Sequence, residues 1–321
     1  MDTTSIPAGH TATPLPDAVD VAVIGGGFTG LSAALALARR DAKVVVLEAE
    51  TFGWGASSRN GGMVLTGLKK GPETLIARYG LEIARRLYAA SLASIDCVEQ
   101  IVKEEGIMCD FSRTGHLEVA VKPKHFDRFR RSAELIAREF RHTLRIVPKD
   151  ALSEEIGSEI YHGGLVDETS AGVNPARFVA GLRELAARNG AQLYDRTRVQ
   201  SIERQPGNVN APYRIRTSRG TLNSSVVFVG TSGYTGSATP ALQERIVPIG
   251  SYIIVTEVLP EHIARTASPR ERQTGAGSSE EALHEPERRS SAGRELGVRD
   301  PDLLDDSVAD LQDRPGGSIR T

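Results

Sequence analysis

The sequence predicts an α/β fold, because a strand, a helix and a second strand follow one another within its first 50 residues. Val19–Gly25 and Lys43–Glu48 are short apolar runs rich in valine, the pattern of buried strands. Between them, leucine and alanine recur at helical spacing from Thr29 to Arg40 without a helix breaker. Together these segments make one βαβ unit, whose crossover is expected to be right-handed.

The composition is that of an ordinary globular protein. The chain has 321 residues, of which 40 % are hydrophobic and 25 % charged, enough for one large domain or two interleaved ones. Its net charge of −2 gives no general attraction for nucleic acid. Cys97 and Cys109 are too few for a disulfide framework and lack metal-ligand spacing, so we expect no metal site.

No segment has the pattern of a membrane span or of a signal peptide, so we expect a cytoplasmic protein. Beyond the βαβ unit, a Gly/Ser-rich loop at 53–63 precedes two amphipathic helices, one containing Ala84 to Val102 and one near Lys124–Arg141. Cys97 lies near the apolar stripe of the first helix, so we expect it to be buried. A strand at Gly115–Val121 separates these helices.

Asn174-Pro175 predicts a further helix start, with Asn as the N-cap and Pro in the first turn. We interpret His116 and His162 as structural residues, and Tyr252 as a core residue of the last strand. The remaining apolar runs predict strands at 191–195, 198–204, 213–218, 221–229 and 246–256.

The character of the chain changes near residue 268. From Arg270 onward there is no aromatic residue, and charged residues, Ser, Gly and Pro dominate. Such a segment buries too little apolar surface to offset its ordering entropy. We therefore predict a disordered tail at 269–321, with a transient helix near 302–312.

The strongest chemical signal is Gly25-Gly26-Gly27-Phe28-Thr29-Gly30, which fits G-x-G-x-x-G at the turn between strand and helix. Gly25 permits the tight turn, Gly27 lets the backbone approach a pyrophosphate, and Gly30 lets the helix pack closely on the strand. Glu48 ends the next strand 18 residues after Gly30, where a carboxylate can accept hydrogen bonds from ribose hydroxyls. These features predict a Rossmann-type dinucleotide site; the alternative is a glycine-rich turn that binds nothing.

The continuation of the chain favours FAD over NAD. An NAD domain usually continues with further short βα units. Here a Gly/Ser loop and a helical insertion follow, and strands return only near residue 191. This layout suits a long ligand whose ring is buried between two interleaved domains, and an NAD-dependent dehydrogenase remains the alternative.

Three motifs carry a family resemblance. Val21–Glu48 together with Gly53–Gly62 (GWGASSRNGG) resembles the D-amino-acid-oxidase-like (DAO) FAD-dependent oxidoreductases, and among them the γ-glutamylputrescine oxidase and glycine/sarcosine oxidase-type branch. Val229–Thr235 (VGTSGYT) is similar to the V-A-T-N-G-Y-T of that branch, with Gly230 in place of Ala and Ser232 in place of Asn. The likeness runs from about residue 17 to about residue 268.

The resemblance implies a Rossmann-type FAD-binding domain with an interleaved α+β substrate domain. The implied reaction oxidises the C–N bond of a small-molecule amine or amino acid to an imine, with electrons passing to flavin and then to oxygen. It assigns no catalytic side chain. The implied FAD-binding residues are Gly25, Gly27, Phe28, Thr29 and Gly30 at the pyrophosphate, Glu48 at the ribose, Ala56 and Ser57 along the diphosphate and ribityl chain, Gly61, Gly62 and Met63 beside the isoalloxazine, Val199 at the adenine, and Gly230 and Thr231 over the cofactor.

Members of the family continue well past this length, so we expect a truncated or frameshifted chain whose substrate domain is incomplete at the C-terminus. A catalytically incompetent remnant that associates through exposed apolar surface is therefore a further alternative. The predicted domains are a polar tail at 1–18, a discontinuous FAD-binding domain at 19–70 and 160–245, and a partial substrate domain at 71–159 and 246–268.

Overall fold

A computed structural model of the chain describes residues 14–207, 210–250, 252–253 and 257–276. Its strands are β1 Ala18–Ile24, β2 Val44–Leu47, β3 Met63–Val64, β4 His116–Val119, β5 Arg145–Pro148, β6 Gly163–Asp167, β7 Ala171–Gly172, β8 Gln192–Tyr194, β9 Val199–Arg204, β10 Tyr213–Thr217, β11 Gly220–Val229 and β12 Gln273–Ala276. Its α-helices are α1 Phe28–Ala38, α2 Pro72–Tyr79, α3 Leu81–Glu105, α4 Pro123–Phe140, α5 Pro175–Arg188, α6 Pro240–Gln243 and α7 Glu261–Ala267.

The first sheet confirms the predicted α/β fold. Its six strands have the order β8-β2-β1-β11-β10-β9, with β8, β2, β1 and β11 parallel and β10 and β9 antiparallel. Ile24 at the end of β1 pairs in register with Leu47 of β2 and with Val229 of β11. The carboxyl ends of these three strands therefore lie side by side, at one edge of the sheet.

Both faces of the parallel strands are covered, which explains their unbroken apolar runs. Val23 and Val46 pack in one core cluster with residues of α1 and α5, such as Leu31 and Leu182. The alternate residues of these strands, such as Val45, pack with β10 and β11 on the other face. Asn174 caps α5 as predicted, because its side-chain oxygen accepts a hydrogen bond from the amide of Arg177 at 3.1 Å.

The second sheet has the order β12-β4-β6-β5, in which β4, β6 and β5 are antiparallel and β12 is parallel to β4. Helix α4 packs on it through Phe129 and Ala133. The predicted FAD-binding domain resumes at residue 160, but β6 pairs with β4 and β5 of the second sheet. The second segment of that domain therefore begins after Asp167. The rest of the predicted division into two discontinuous domains stays a prediction.

The predicted disordered tail is wrong for its first residues, since the chain forms β12 beside β4. Arg272 is 6 % exposed and makes ion pairs with Glu155, at 2.7 Å, and with Glu168, at 2.5 Å. Composition shows the charge of Arg272 but not these partners, which come from distant parts of the chain. Residues 277–321, including the predicted helix near 302–312, lie outside the described residues.

Two further expectations are corrected by the structure. The predicted strand at 246–256 is not formed in its described part, where Val247 and Ile249 are 82 % and 86 % exposed. An apolar run becomes a strand only beside a partner strand, and Tyr252 accordingly lies at the surface instead of in a core. Cys97 is exposed, because it projects from α3 away from its buried face, whereas Cys109 is buried.

Candidate cofactor site

A cavity of about 410 Å³ opens at the carboxyl ends of β1, β2 and β11. Ligands of open α/β sheets bind at this edge, where strand order reverses and loops diverge. Its walls come from the glycine turn after β1, the loop after β2, the start of β9 and the segment after β11. The lining residues are Ile24, Gly25, Gly27, Leu47, Glu48, Ala49, Glu50, Gly53, Trp54, Gly55, Ala56, Ser57, Arg198, Val199, Val229, Gly230, Thr231, Ser232, Tyr234, Gly236, Ser237, Ala238 and Thr239.

Three glycines bring the backbones of β1, α1 and β11 together at the base of the cavity. Gly25 has a φ of +101°, and a Cβ there would lie 2.7 Å from the carbonyl oxygen of Gly230. A Cβ on Gly30 would lie 1.9 Å from the carbonyl oxygen of Gly25. No side chain fits at either position, so the roles predicted for Gly25 and Gly30 in turn and packing are those that the geometry requires.

The N-terminus of α1 lies beside the cavity, since its N-cap residue Gly27 lines it. Gly27 is the N-cap and makes no side-chain capping bond, while the amide of Phe28 donates to Ser57 Oγ at 3.0 Å. Amides at a helix N-terminus, with the positive end of the helix dipole, favour a phosphate. Phe28, Thr29 and Gly30 do not line the cavity themselves. The ring of Phe28 packs instead against Phe178, at 5.4 Å between centroids.

Glu48 lies at the wall next to this turn, with both carboxylate oxygens held by backbone. Its Oε2 accepts a hydrogen bond from the amide of Gly26 at 2.6 Å, and its Oε1 accepts one from the amide of Glu50 at 2.8 Å. A carboxylate has about four acceptor positions. Glu48 is therefore fixed in orientation and can still accept hydrogen bonds from two hydroxyl groups of a ligand.

The far end of the cavity is formed where the chain enters β9. Val199 lines it, beside Arg198, whose guanidinium pairs with Glu50 at 2.6 Å. The amide of Thr197 donates to the carbonyl of Glu48 at 2.7 Å, which ties this segment to the end of β2. An apolar side chain next to backbone groups suits a flat base such as adenine.

Of the predicted site residues, the structure brings eight together at the cavity. The three predicted to meet the flavin ring are not among them: Gly61, Gly62 and Met63 lie where the chain enters β3, which pairs with β7. Gly62 has a φ of +68°, and a Cβ there would lie 1.9 Å from the carbonyl oxygen of Val173. The residues at the cavity are Gly25, Gly27, Glu48, Ala56, Ser57, Val199, Gly230 and Thr231.

Sequence reasoning missed several lining residues, among them Trp54, Gly55 and Tyr234. Each belongs to a motif that was recognised, GWGASSRNGG or VGTSGYT, but no role was given to its aromatic members. The segment Gly236–Thr239 also lines the cavity. Nothing in its composition marks it as part of a site.

A buried polar cluster lies beyond β3, at the end of β6. The Asp167 carboxylate accepts hydrogen bonds from the hydroxyl of Thr66 and from the amide of Thr169, and its Oδ1 lies 3.1 Å from His142 Nε2. Burial alone would raise the pKa of Asp167, but these contacts outweigh burial and lower it. Burial and the charge of Asp167 raise the pKa of Tyr88 to about 12.

Within the described ranges, no three His, Cys, Asp or Glu side chains come close enough together to hold a metal ion. Among the described helices, none combines the length and the apolar character that crossing a membrane requires. The polar groups that line the cavity include the fixed carboxylate of Glu48, the Arg198–Glu50 ion pair, hydroxyl groups and backbone groups. A helix N-cap glycine and an oriented carboxylate at one cavity are the kinds of group that suit the phosphates and a ribose of a dinucleotide.

Comparison with known proteins finds relatives in sequence and in fold. The chain is 32 % identical over 252 residues to gamma-glutamylputrescine oxidoreductase of Escherichia coli (strain K12), covering 78 % of this chain and 58 % of that protein. Glycine oxidase from Geobacillus kaustophilus superposes with a TM-score of 0.57 at 23 % identity, covering 71 % of this chain and 59 % of that one. L-alpha-glycerophosphate oxidase from Mycoplasma pneumoniae, solved with FAD bound, superposes with a TM-score of 0.51 at 18 % identity, over 66 % of this chain and 53 % of that one.

The chain thus spans less than two thirds of the length of each of these proteins. Residues 20–280 match the family of FAD dependent oxidoreductases, DAO. The likeness therefore extends past residue 268, where the sequence alone placed its end, and includes β12. With the family matched over most of its length and the same fold in its structural relatives, the chain belongs to the DAO family of FAD-dependent oxidoreductases.

Proposed function

We propose that the protein binds FAD and oxidises the C–N bond of a small amine or amino acid to an imine, which then hydrolyses. The observation that carries the proposal is the cavity at the ends of β1, β2 and β11, which Gly27 lines at the N-terminus of α1 and Glu48 lines with its carboxylate held by the amide of Gly26. The substrate class is supported by relatives named for γ-glutamylputrescine and for glycine.

When bound, FAD would supply the two-electron acceptor that amine oxidation needs. The residues of this chain bind and orient it. The amides at the start of α1 hold the pyrophosphate, while Thr29 and Gly30 set the position of the helix. Glu48 accepts from the ribose hydroxyls, and Val199 contacts the adenine. Ala56 and Ser57 follow the diphosphate.

Gly61, Gly62 and Met63 are proposed to lie beside the isoalloxazine ring. Asn60 supports this segment, because its side-chain oxygen accepts a hydrogen bond from the amide of Gly62 at 2.8 Å. The amide of Val173 donates to the carbonyl of Gly62 at 2.9 Å. A glycine-rich backbone held on both sides lets a flat ring approach it without obstruction by side chains.

A second candidate is a protein that binds FAD without turnover and associates through apolar surface. The exposure of Val247, Ile249 and Tyr252 favours it, since several large apolar side chains left exposed near one another in sequence are typical of a segment that binds a partner. The two candidates differ in one property, the reduction of bound flavin by an amine.

The test is a visible absorption spectrum of the purified full chain with added FAD, followed by anaerobic addition of γ-glutamylputrescine, glycine, sarcosine or glycerophosphate. The proposal expects flavin bands near about 370 and 450 nm, and loss of the 450 nm band with at least one amine but not with glycerophosphate. Bound flavin that no amine reduces would favour the second candidate. A folded protein that binds NADH and no FAD would contradict both.

A further inference from the structure

An aromatic contact connects two walls of the cavity. Trp54 belongs to the loop after β2, and Tyr234 belongs to the short 3₁₀ turn Ser232–Tyr234 after β11. Both residues line the cavity, and their rings meet edge to face with centroids 5.8 Å apart. The two segments are far apart in sequence and are joined here by side chains.

Two neighbours complete this contact. The Arg59 guanidinium lies over the ring of Trp54, 4.5 Å from its centroid, in a cation–π arrangement. Gly55 leaves the room that the ring of Tyr234 occupies, because a Cβ on Gly55 would lie 3.0 Å from Tyr234 Cε2. Arg59, Trp54 and Tyr234 therefore form one stack, which we call the aromatic clasp.

The backbone on each side of the clasp is held locally. The amide of Trp54 donates to the carbonyl of Thr51 at 3.0 Å, and the amide of Tyr234 donates to the carbonyl of Thr231 at 2.9 Å. Trp54 and Tyr234 are 42 % and 58 % exposed and both line the cavity, so their contact lies where the cavity meets the protein surface and not in a core. A contact between two anchored segments can open by rotation of side chains alone, without unfolding of either wall.

We propose that the aromatic clasp is a kinetic gate for the cofactor: it must open for the ADP portion of FAD to enter the cavity or to leave it. The inference rests on the proposed function, since FAD is the ligand that it names. We take the clasp to be closed in the free chain and closed again over bound FAD, so weakening it lowers the barrier to entry and to release alike. The rate constants of association and dissociation then rise together, and the dissociation constant stays nearly unchanged.

The gate is tested by stopped-flow measurement of FAD association and dissociation, followed by flavin fluorescence, in the full chain. Tyr234→Leu and Arg59→Met each remove one contact of the clasp, and Tyr234→Phe keeps the ring and should behave as the wild type. Tyr79→Leu is the matched control, since Tyr79 is also exposed and also lies under an arginine, Arg78, but does not line the cavity.

We expect both rate constants to rise about fivefold to tenfold in Tyr234→Leu, the size of effect that one aromatic contact gives, with a dissociation constant within about twofold of wild type. A rise in the dissociation rate constant alone would overturn the gate and make Tyr234 a direct ligand contact. Rates equal to those of Tyr79→Leu would also overturn it.

A measurement without flavin separates this inference from the proposed function. Trp54 is the only tryptophan of the chain, so its emission reports on the clasp directly. Tyr234→Leu should increase quenching of this emission by acrylamide, whereas Tyr79→Leu should not. Equal quenching in the two variants would refute the clasp. An increase in quenching together with a wild type that takes up no FAD would refute the proposed function and leave the clasp standing as a contact with no gating role.

Discussion

Replacement of Gly30 by alanine tests whether the close approach of α1 to β1 is what builds the phosphate end of the cavity. An alanine Cβ at this position would lie 1.9 Å from the carbonyl oxygen of Gly25 and 3.2 Å from Val23 Cγ1. Contacts below about 3.0 Å are not tolerated, so α1 must move away from the glycine turn by about 1 Å. The obstructing atom is backbone and cannot rotate aside.

The sign of the effect on stability is the informative quantity. In an unobstructed helix, Gly→Ala stabilises by about 0.5–1 kcal/mol. Overpacking of a close contact costs about 1–3 kcal/mol. We therefore expect Gly30→Ala to lower the free energy of unfolding by about 1–2 kcal/mol. Because α1 carries the phosphate-binding amides with it, the dissociation constant of FAD should rise at least about tenfold, equivalent to about 1.4 kcal/mol.

Urea unfolding followed by far-UV circular dichroism measures the first quantity, and titration calorimetry with FAD measures the second. Ser32→Ala is the control, since Ser32 is exposed on the same helix and meets no obstruction. It should leave the FAD affinity unchanged and stabilise the protein slightly. A Gly30→Ala variant as stable as wild type, with unchanged FAD affinity, would refute the packing argument.

Three further predictions concern charged groups. Glu48→Gln should raise the dissociation constant of FAD at least about tenfold in calorimetry, because an amide NH2 would face the amide of Gly26 or Glu50. Asp167→Asn should lower the free energy of unfolding by about 1–3 kcal/mol at pH 7. Folding lowers the pKa of Asp167, so its contribution to stability is complete above about pH 4 and is lost as pH falls through the folded pKa. The free energy of unfolding, measured with urea from pH 7 to 3, should therefore decline less steeply in the variant than in the wild type. Arg272→Met should lower the free energy of unfolding by about 1–3 kcal/mol, because it removes one of the cations that pair with the buried carboxylate of Glu155. The control Arg265→Met breaks an exposed ion pair with Glu261 and should lower the free energy of unfolding by less than about 1 kcal/mol.

The parts of the molecule that could be predicted from sequence are those whose pattern is local. The valine runs of β1 and β2 and the glycine turn between β1 and α1 carry their conformational reasons within a few residues. The position of Glu48 follows from the same unit, because it ends the strand next to the turn. For this reason the sequence predicts Gly25, Gly27 and Glu48 as one group, and the structure brings them together at one cavity.

The features that sequence reasoning missed depend on partners distant in the chain. Arg272 looks like one charge in a polar tail until Glu155 and Glu168 are placed around it. The apolar run from Ile246 reads as a strand, but a strand forms only where a neighbour offers hydrogen bonds. The contact of Trp54 with Tyr234 joins two motifs that were each recognised separately.

The central proposal is that the cavity at the ends of β1, β2 and β11 binds FAD through the ADP portion of the cofactor. The most direct measurement is a calorimetric titration of the full chain with FAD, repeated in the presence of saturating ADP and with the variant Gly27→Val. A Cβ at Gly27 would already lie 2.7 Å from Ser57 Oγ, so valine fills the approach to the phosphates. The account predicts one FAD per chain, competition by ADP and loss of binding in the variant. FAD binding that neither ADP nor Gly27→Val weakens, or a folded protein that binds neither nucleotide, would contradict it.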